Sequence, residues 1–380
     1  MNKILQDIER SQEKLLNLLI QIAKIPSPTG FEKVKIEYIK DQLSKLGLKK
    51  VIIDDAGNCI ANLPAQNKSK QSKTILVVAH TDTACDPGGE VQIREDKKYI
   101  YGHGICDNSA GVVGLLTTLE LIQKNNLKFP HNLIFGFTVG EEGLGAKRGM
   151  KAIIKRFGKE IDAVINVESH HIGRVTNQAI GQYRSEIIID TKIGGHSYRD
   201  FGRPNANVIL ASIISDFSKF KLSQKKGKTT FNIGDMKGEA SINAIASKSA
   251  CLFEIRSEDN DSLLKTQQKL ESILNQYRKK FPGVEITNNI SAQVPAVTFS
   301  KNHKIYHLTT KAQKKLGITP KINAGNTDGD VSLAANIPTV TIGTSEGWNT
   351  HSFDEYMEKA SLSLGIKQVF LVINEVASNY

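Results

Sequence analysis

The sequence is poor in cysteine. Its four cysteines, Cys59, Cys85, Cys106 and Cys251, are spread over 380 residues and form no CxxC pair. That spacing excludes a disulfide framework and a thiolate zinc site, and it fits small buried side chains in a reducing compartment. Cys85 and Cys106 flank the candidate site described below, where either burial or sensitivity to oxidation accounts for them. Aromatic residues make up only 6%, with one tryptophan. They are not interleaved with the lysine groups (Lys49-Lys50, Lys68 to Lys73, Lys225 to Lys228, Lys279-Lys280, Lys314-Lys315) as stacking platforms would be. The formal net charge of +11 therefore reads as a solvated basic surface and not as a nucleic-acid footprint, although it would still steer anionic substrates at long range. Long apolar runs are also missing. Met1 to Lys14 is rich in charge and lacks the core of a signal peptide, and no stretch is expected to span a membrane. These absences predict a cytoplasmic, soluble protein with neither a nucleic-acid nor a membrane partner.

What is present begins with an apolar fraction of 39%, enough for two cores in a chain of this length. Thr74 to Ala79 runs apolar or β-branched without interruption, the pattern of a strand covered on both faces of a parallel sheet, and it leads directly into His80-Thr81-Asp82. Ligands in such sheets gather at the carboxyl ends of the strands. Ile4 to Ala23 and Phe31 to Leu46 have helical periodicity, with Pro26 and Gly47 closing them. Val51 to Ile53 and Asn58 to Leu63 read as paired strands, Val112 to Ile122 as a buried helix, and Asn132 to Val139 and Ala163 to Val167 as buried strands. After Asn177 the pattern changes. Strands over 186–193, 229–233, 249–255 and 284–287 alternate with helices over 205–220 and 261–281, the latter capped by Asp261. This β-α-β-β-α-β order predicts an inserted ferredoxin-like α+β domain. A helix (His303 to Leu316), a buried strand (Thr339 to Ile342) and a closing helix (Ala360 to Val376) then resume the first topology. The expected division is 1–178 and 292–380 for an α/β domain with a mixed central sheet covered by helices, and 179–291 for the insertion.

Several polar residues sit where these strands end. Alternation puts His80 and Asp82 on one side, so that the carboxylate can hold one imidazole nitrogen while the other meets a metal; a core histidine followed by a helix cap is the alternative. Asp107, before the buried helix, is either an N-cap or a ligand. Glu141 and Glu142 are either exposed turn residues or a ligand beside a proton carrier, since adjacent carboxylates at a strand mouth need compensation. Glu168 ends the next strand. A lone Gly102-x-Gly104 is no dinucleotide fingerprint.

His80-Thr81-Asp82-Thr83, Gly102 to Asp107, Gly140-Glu141-Glu142-Gly143, Glu168, Gly195-His196-Ser197, Ile242-Asn243-Ala244, Arg256, Asn326-Thr327-Asp328-Gly329 and His351-Ser352 occur in one order along nearly the whole chain. In that order, and with Pro26-Ser27-x-Thr29-Gly30-x-Glu32 as an opening signature, the chain resembles the co-catalytic dizinc aminoacylase and carboxypeptidase family, which includes acetylornithine deacetylase, succinyl-diaminopimelate desuccinylase, glutamate carboxypeptidase and peptidase T. The resemblance implies a zinc-exopeptidase-like catalytic domain and a lid or dimerisation role for the insertion. It also implies two divalent ions, zinc first with cobalt or manganese as alternatives, bridged by Asp107. His80 and Glu168 would complete one, Glu142 and His351 the other. Glu141 would be the general base acting on a bridging hydroxide, Asp82 would orient His80, and the peptide bond after Asp107 would be cis. His196 would reach a partner subunit's oxyanion in a homodimer, and Asn243, Arg256, Asn326 and Thr327 would bind substrate. Without the resemblance, His196 reads as a turn histidine and Arg256 as an exposed strand residue. His170 and His171 are read as lying outside the ligand set. Departures are Ser109 where lysine is common, His103 where arginine is frequent, Asn326 for glycine, and Glu168 where some members have aspartate. The implied function is hydrolysis of an amide beside a free carboxylate, in a short peptide or an N-acyl amino acid. Alternatives are a tripeptidase or aminopeptidase, or a metal-binding scaffold without catalysis.

Overall fold

The computed structural model describes the chain except Lys68, Ser223, Lys225, Glu239 and Ala240, and it describes His170 by its backbone alone. Lys68 and Lys225, members of two of the lysine groups above, thus lie outside the described residues. Two compact units form, one from Met1–Gln178 with Thr298–Tyr380 and the other from Ala179–Val297.

The first unit is built on four parallel strands, in the order Asn132–Thr138, Thr74–His80, Ala163–His170 and Thr339–Ser345. Antiparallel strands flank them, Cys59–Leu63 with Val51–Ile53 on one side and Arg174–Ala179 on the other. The uninterrupted apolar runs have a simple cause. Alternate side chains enter different cores: Ile75, Val77 and Ala79 join one, with the helices Gln12–Lys24, Gly111–Lys124 and Ser361–Asn379, while Leu76 and Val78 join the other, with Met150 and Ile153 of Arg148–Phe157. Both faces are covered, so neither can be polar.

Register then levels the functional positions. His80 pairs with Thr138 and Val78 with Asn166, which brings Glu168 abreast of His80 at the same carboxyl edge.

Three expectations need correction. The single helix read over Ile4 to Ala23 is two, Asn2–Arg10 and Gln12–Lys24. They part at Ser11, whose hydroxyl donates back to the Asp7 carbonyl at 2.8 Å, a local bond that competes with the helix. The stretch Ile105–Lys124, 20 residues long, is long and apolar enough to cross a membrane, contrary to the sequence reading, but 89% of its apolar window is buried inside the protein. It is not one regular helix either, since Asp107 and Asn108 have non-helical backbone angles. The cap of the helix Asn260–Lys280 is Asp259, which accepts the Ser262 N–H, and not Asp261.

The second unit has four antiparallel strands in the order Thr229–Gly238, Lys248–Ser257, Gly181–Asp190 and Glu285–Val294. With the helices Ala206–Ser218 and Asn260–Lys280 packed into its core, this is the ferredoxin-like order. The unit ends at Val297, beyond 291, because its last strand runs on to Val294. On the face away from Tyr183 and Ile255, Glu254 accepts from Arg184 Nε and Arg256 Nε at 2.8 Å each, and from Gln182 Nε2 at 3.0 Å.

Two measurements test this packing. A Cβ on Gly365, in the closing helix, would lie 1.6 Å from the Thr344 carbonyl oxygen. Gly365→Ala should therefore cost about 3 kcal/mol through overpacking, read as a lower urea midpoint; an unchanged midpoint would contradict the helix–strand contact. Burial works to raise the Glu254 carboxyl, but the Arg256 and Arg184 guanidiniums prevail and hold it down at about 2. A carboxyl depressed in the folded state lends stability above its unfolded value, near 4.5, and loses it as pH falls towards the folded value. Glu254→Gln should thus be less stable than wild type at pH 7, with the gap closing between pH 4.5 and pH 2; a gap independent of pH would exclude the ionic origin.

Candidate metal centre

The site lies at the carboxyl edge of the parallel strands. His80 ends its strand, Glu141 and Glu142 follow Asn132–Thr138, Glu168 lies near the end of its own strand, and Asp107 and His351 come from loops. The structure brings the five expected ligands into two groups that share one carboxylate. His80 Nε2 is 3.1 Å from Asp107 Oδ1 and 3.7 Å from Glu168 Oε2. His351 Nε2 is 3.3 Å from Asp107 Oδ2 and 3.0 Å from Glu142 Oε1. Asp107 thus turns one oxygen toward each group. The peptide bond between Asp107 and Asn108 is cis.

His80, Asp107, Glu142 and Glu168 are buried, whereas the His351 side chain is 56% exposed and its backbone is left-handed, with φ of 64°.

Asp82 lies against His80 Nδ1 through its backbone carbonyl, at 3.1 Å, and its carboxylate, at 3.7 Å. The buried carboxylate also accepts the Glu141 and Glu142 backbone N–H groups at 3.0 Å each and the Thr29 hydroxyl at 2.9 Å. It therefore pins the loop that carries both glutamates. The opening signature belongs to the same brace: Glu32 accepts the Gly30 N–H at 2.9 Å and Arg148 Nη2 at 2.7 Å. His103, in the place of a frequent arginine, links two loops through Cys85 O at 2.9 Å and Ser352 O at 3.2 Å.

The electrostatics show what the cage requires. Carboxylates from Asp82, Asp107, Glu141, Glu142 and Glu168 crowd two imidazoles. Burial alone would lower the His80 value, but Glu168, Asp107 and Asp82 outweigh it and raise it well above the ordinary one. Hydrogen bonds to Asp107 and Glu142 lift His351 to about 11. Burial pushes Glu141 well up, with His80 pulling against it and Glu142 adding. Burial would also raise Asp107, yet His351 and His80 hold it low. So many carboxylates in one buried site call for positive charge beside them. Divalent cations supply that charge, and the donor set fits them: oxygen and imidazole nitrogen without thiolate. Within each group the ligand atoms lie within 4.8 Å of one another, and bonds of roughly 2.0–2.2 Å to one ion put donors about 3–3.5 Å apart.

Other expected residues are placed less directly. Thr327 is buried, and its hydroxyl meets Asn166 Nδ2 at 3.1 Å and the Gly329 N–H at 3.2 Å. It braces the loop through these bonds. Asn326 keeps its Oδ1 on Lys147 Nζ at 2.8 Å, while its buried Nδ2 has no partner among the described residues. In the second unit, His196 pairs with Ala244 across a short ladder, which places it beside the exposed Asn243. His196 Nδ1 accepts the Tyr198 and Arg199 N–H groups at 3.2 and 3.4 Å, so a neutral ring carries its proton on Nε2. Arg256 spends Nε on Glu254. His171 is 2.9 Å from Glu346, away from the ligand groups, and the side chain of His170 lies outside the described residues.

Sequence reasoning missed several residues around the cage. Lys147 and Asp330 form a buried ion pair at 2.6 Å, and Thr138 donates to the buried Asp328 at 2.6 Å. Glu355 and Lys35 are fully buried as well, and burial pushes the Glu355 carboxyl up to about 8 against three N–H bonds. Lys35 carried a signal: it stands one helical turn before Ile39 and two before Leu43, in line with the apolar stripe.

Comparison with known proteins agrees with this arrangement. The chain is 24% identical to a tripeptidase of Staphylococcus aureus whose structure superposes with a TM-score of 0.80 over 96% of this chain and 98% of that one. It is 22% identical to a LysW-lysine/LysW-ornithine hydrolase of Saccharolobus solfataricus, across 98% of this chain and 99% of the relative. It is 24% identical to an acetylornithine deacetylase of Buchnera aphidicola, across 94% and 99%. Peptidase family M20/M25/M40 matches residues 76–375, and the chain belongs to that family of metal-dependent peptidases and amidohydrolases.

Proposed function

We propose that the chain cleaves an amide bond beside a free carboxylate, in a short peptide or an N-acyl amino acid, with two divalent ions held by His80, Asp107 and Glu168 and by Asp107, Glu142 and His351. The observation that carries this reading is the Asp107 carboxylate, one oxygen toward each group, with Glu141 among the cage carboxylates. Zinc suits the donors best, with cobalt or manganese as alternatives. When bound, such a pair lowers the pKa of a water towards neutrality and polarises the scissile carbonyl.

The protein's own groups do the rest. Glu141 takes the proton of the attacking water and passes it to the leaving nitrogen, a transfer that its crowded, half-buried position favours. Asp82 keeps the Glu141–Glu142 backbone fixed while this happens. His196, through its Nε2–H, is proposed to stabilise the developing oxyanion from the partner copy of a homodimer formed by the inserted unit. Arg256 and Asn243 are proposed to hold the substrate carboxylate, the guanidinium fork being suited to a planar anion. Names among the relatives span peptidase and deacylase activities, and a mixed substrate pool separates the two.

Metal-loaded wild type incubated with dipeptides, tripeptides and N-acyl amino acids should release amino acids, read by mass spectrometry. Glu141→Gln should slow release by about 10²–10⁴-fold while binding as much metal. If wild type binds metal and leaves the whole pool intact, a scaffold role replaces hydrolysis. Stripping the metal should lower the melting temperature, since ions at a thousandfold excess over Kd contribute about 4 kcal/mol. His351→Ala should bind one ion where wild type binds two; two ions in the variant would remove His351 from the ligand set.

A further inference from the structure

Glu355 lies four residues beyond His351 and is fully buried. Its Oε1 accepts the backbone N–H groups of Cys106 and Asp107 at 2.7 Å each, and its Oε2 accepts that of Gly104 at 2.9 Å. Its backbone joins in, since the Glu355 carbonyl accepts the Gly102 N–H at 2.9 Å. One residue thus grips the loop from Gly102 to Asp107 at four donors. A buried carboxylate that collects backbone N–H groups fixes their directions, and the direction of the Asp107 backbone sets where its side chain leaves the chain.

The same device occurs a second time in the cage, where the Asp82 carboxylate gathers the N–H groups of Glu141 and Glu142.

We propose that Glu355 is a positioning residue for the hydrolysis, holding the Gly102–Asp107 loop so that the Asp107 carboxylate presents one oxygen to each metal-binding group. The inference rests on the two-metal reading above. It makes the cage a preformed object: both ligand-bearing loops are set by carboxylates outside the two ligand groups.

The test uses full-length wild type, Glu355→Ala and Glu355→Gln, stripped of metal and titrated with cobalt(II). The readouts are the visible spectrum, affinity by competition with a chromophoric chelator, and the separate kcat and KM of a substrate found in the pool. Glu355→Ala should lose 10–100-fold in cobalt affinity, with an altered spectrum and a kcat that falls more than KM rises. Glu355→Gln keeps an acceptor for Cys106 and Asp107 but turns an amide N–H₂ toward Gly104, so it should fall between alanine and wild type. Melting of the metal-free proteins separates misfolding from misplacement, and if the alanine variant does not fold, the glutamine variant alone decides. Glutamate-355 variants that bind two cobalt ions with wild-type affinity and spectrum would overturn this assignment and leave the hydrolase reading intact. A wild type that takes up no cobalt would overturn both.

Discussion

Repulsion among buried carboxylates is the constraint on which the rest of this structure depends. Asp82, Asp107, Glu142 and Glu168 are buried at one sheet edge, and Glu141 is half-buried beside them. No fold holds such a set by packing alone, because each anion loses hydration and repels its neighbours. The structure answers with directed dipoles and scarce cations. Backbone N–H groups converge on Asp82 and Glu355, imidazoles face Asp107, and Lys35 and Lys147 are buried among acids. Much of the loop architecture at this edge, including the left-handed turn at His351 and the bonds between the opening signature and the glutamate loop, makes sense as the scaffolding of that charge.

The parallel sheet explains how so many acids can be brought together. Strands covered on both faces leave polar residues only one place to go, the loops at their ends, and register then aligns those loops. His80 and Glu168 become neighbours because Val77 and Val78 pair with Ile165 and Asn166.

That logic also explains what could be read in advance. Strands such as Thr74–His80 are legible because double-sided burial leaves an unbroken apolar run, and their ends mark His80, Glu142 and Glu168. Asp107 is marked by the buried helix after it, while His351 sits on a loop, where periodicity is silent, and emerges only through motif order. Glu355 was invisible because its partners are backbone N–H groups, which any sequence supplies. The bracing bonds of Thr327 were hidden for a related reason: a short polar residue in a loop reads the same whether or not it braces its own turn. The split at Ser11 and the cap at Asp259 turned on single side-chain bonds that shift a boundary without altering the pattern around it.

The unequal surroundings of the two ligand groups have a further consequence. The group of His80, Asp107 and Glu168 is buried throughout, whereas the other depends on a half-exposed histidine in a conformation that costs a bulky residue of order 1–3 kcal/mol. Solvent therefore meets the second group through that histidine while the first stays sealed, so exchange with the surroundings would begin at the second.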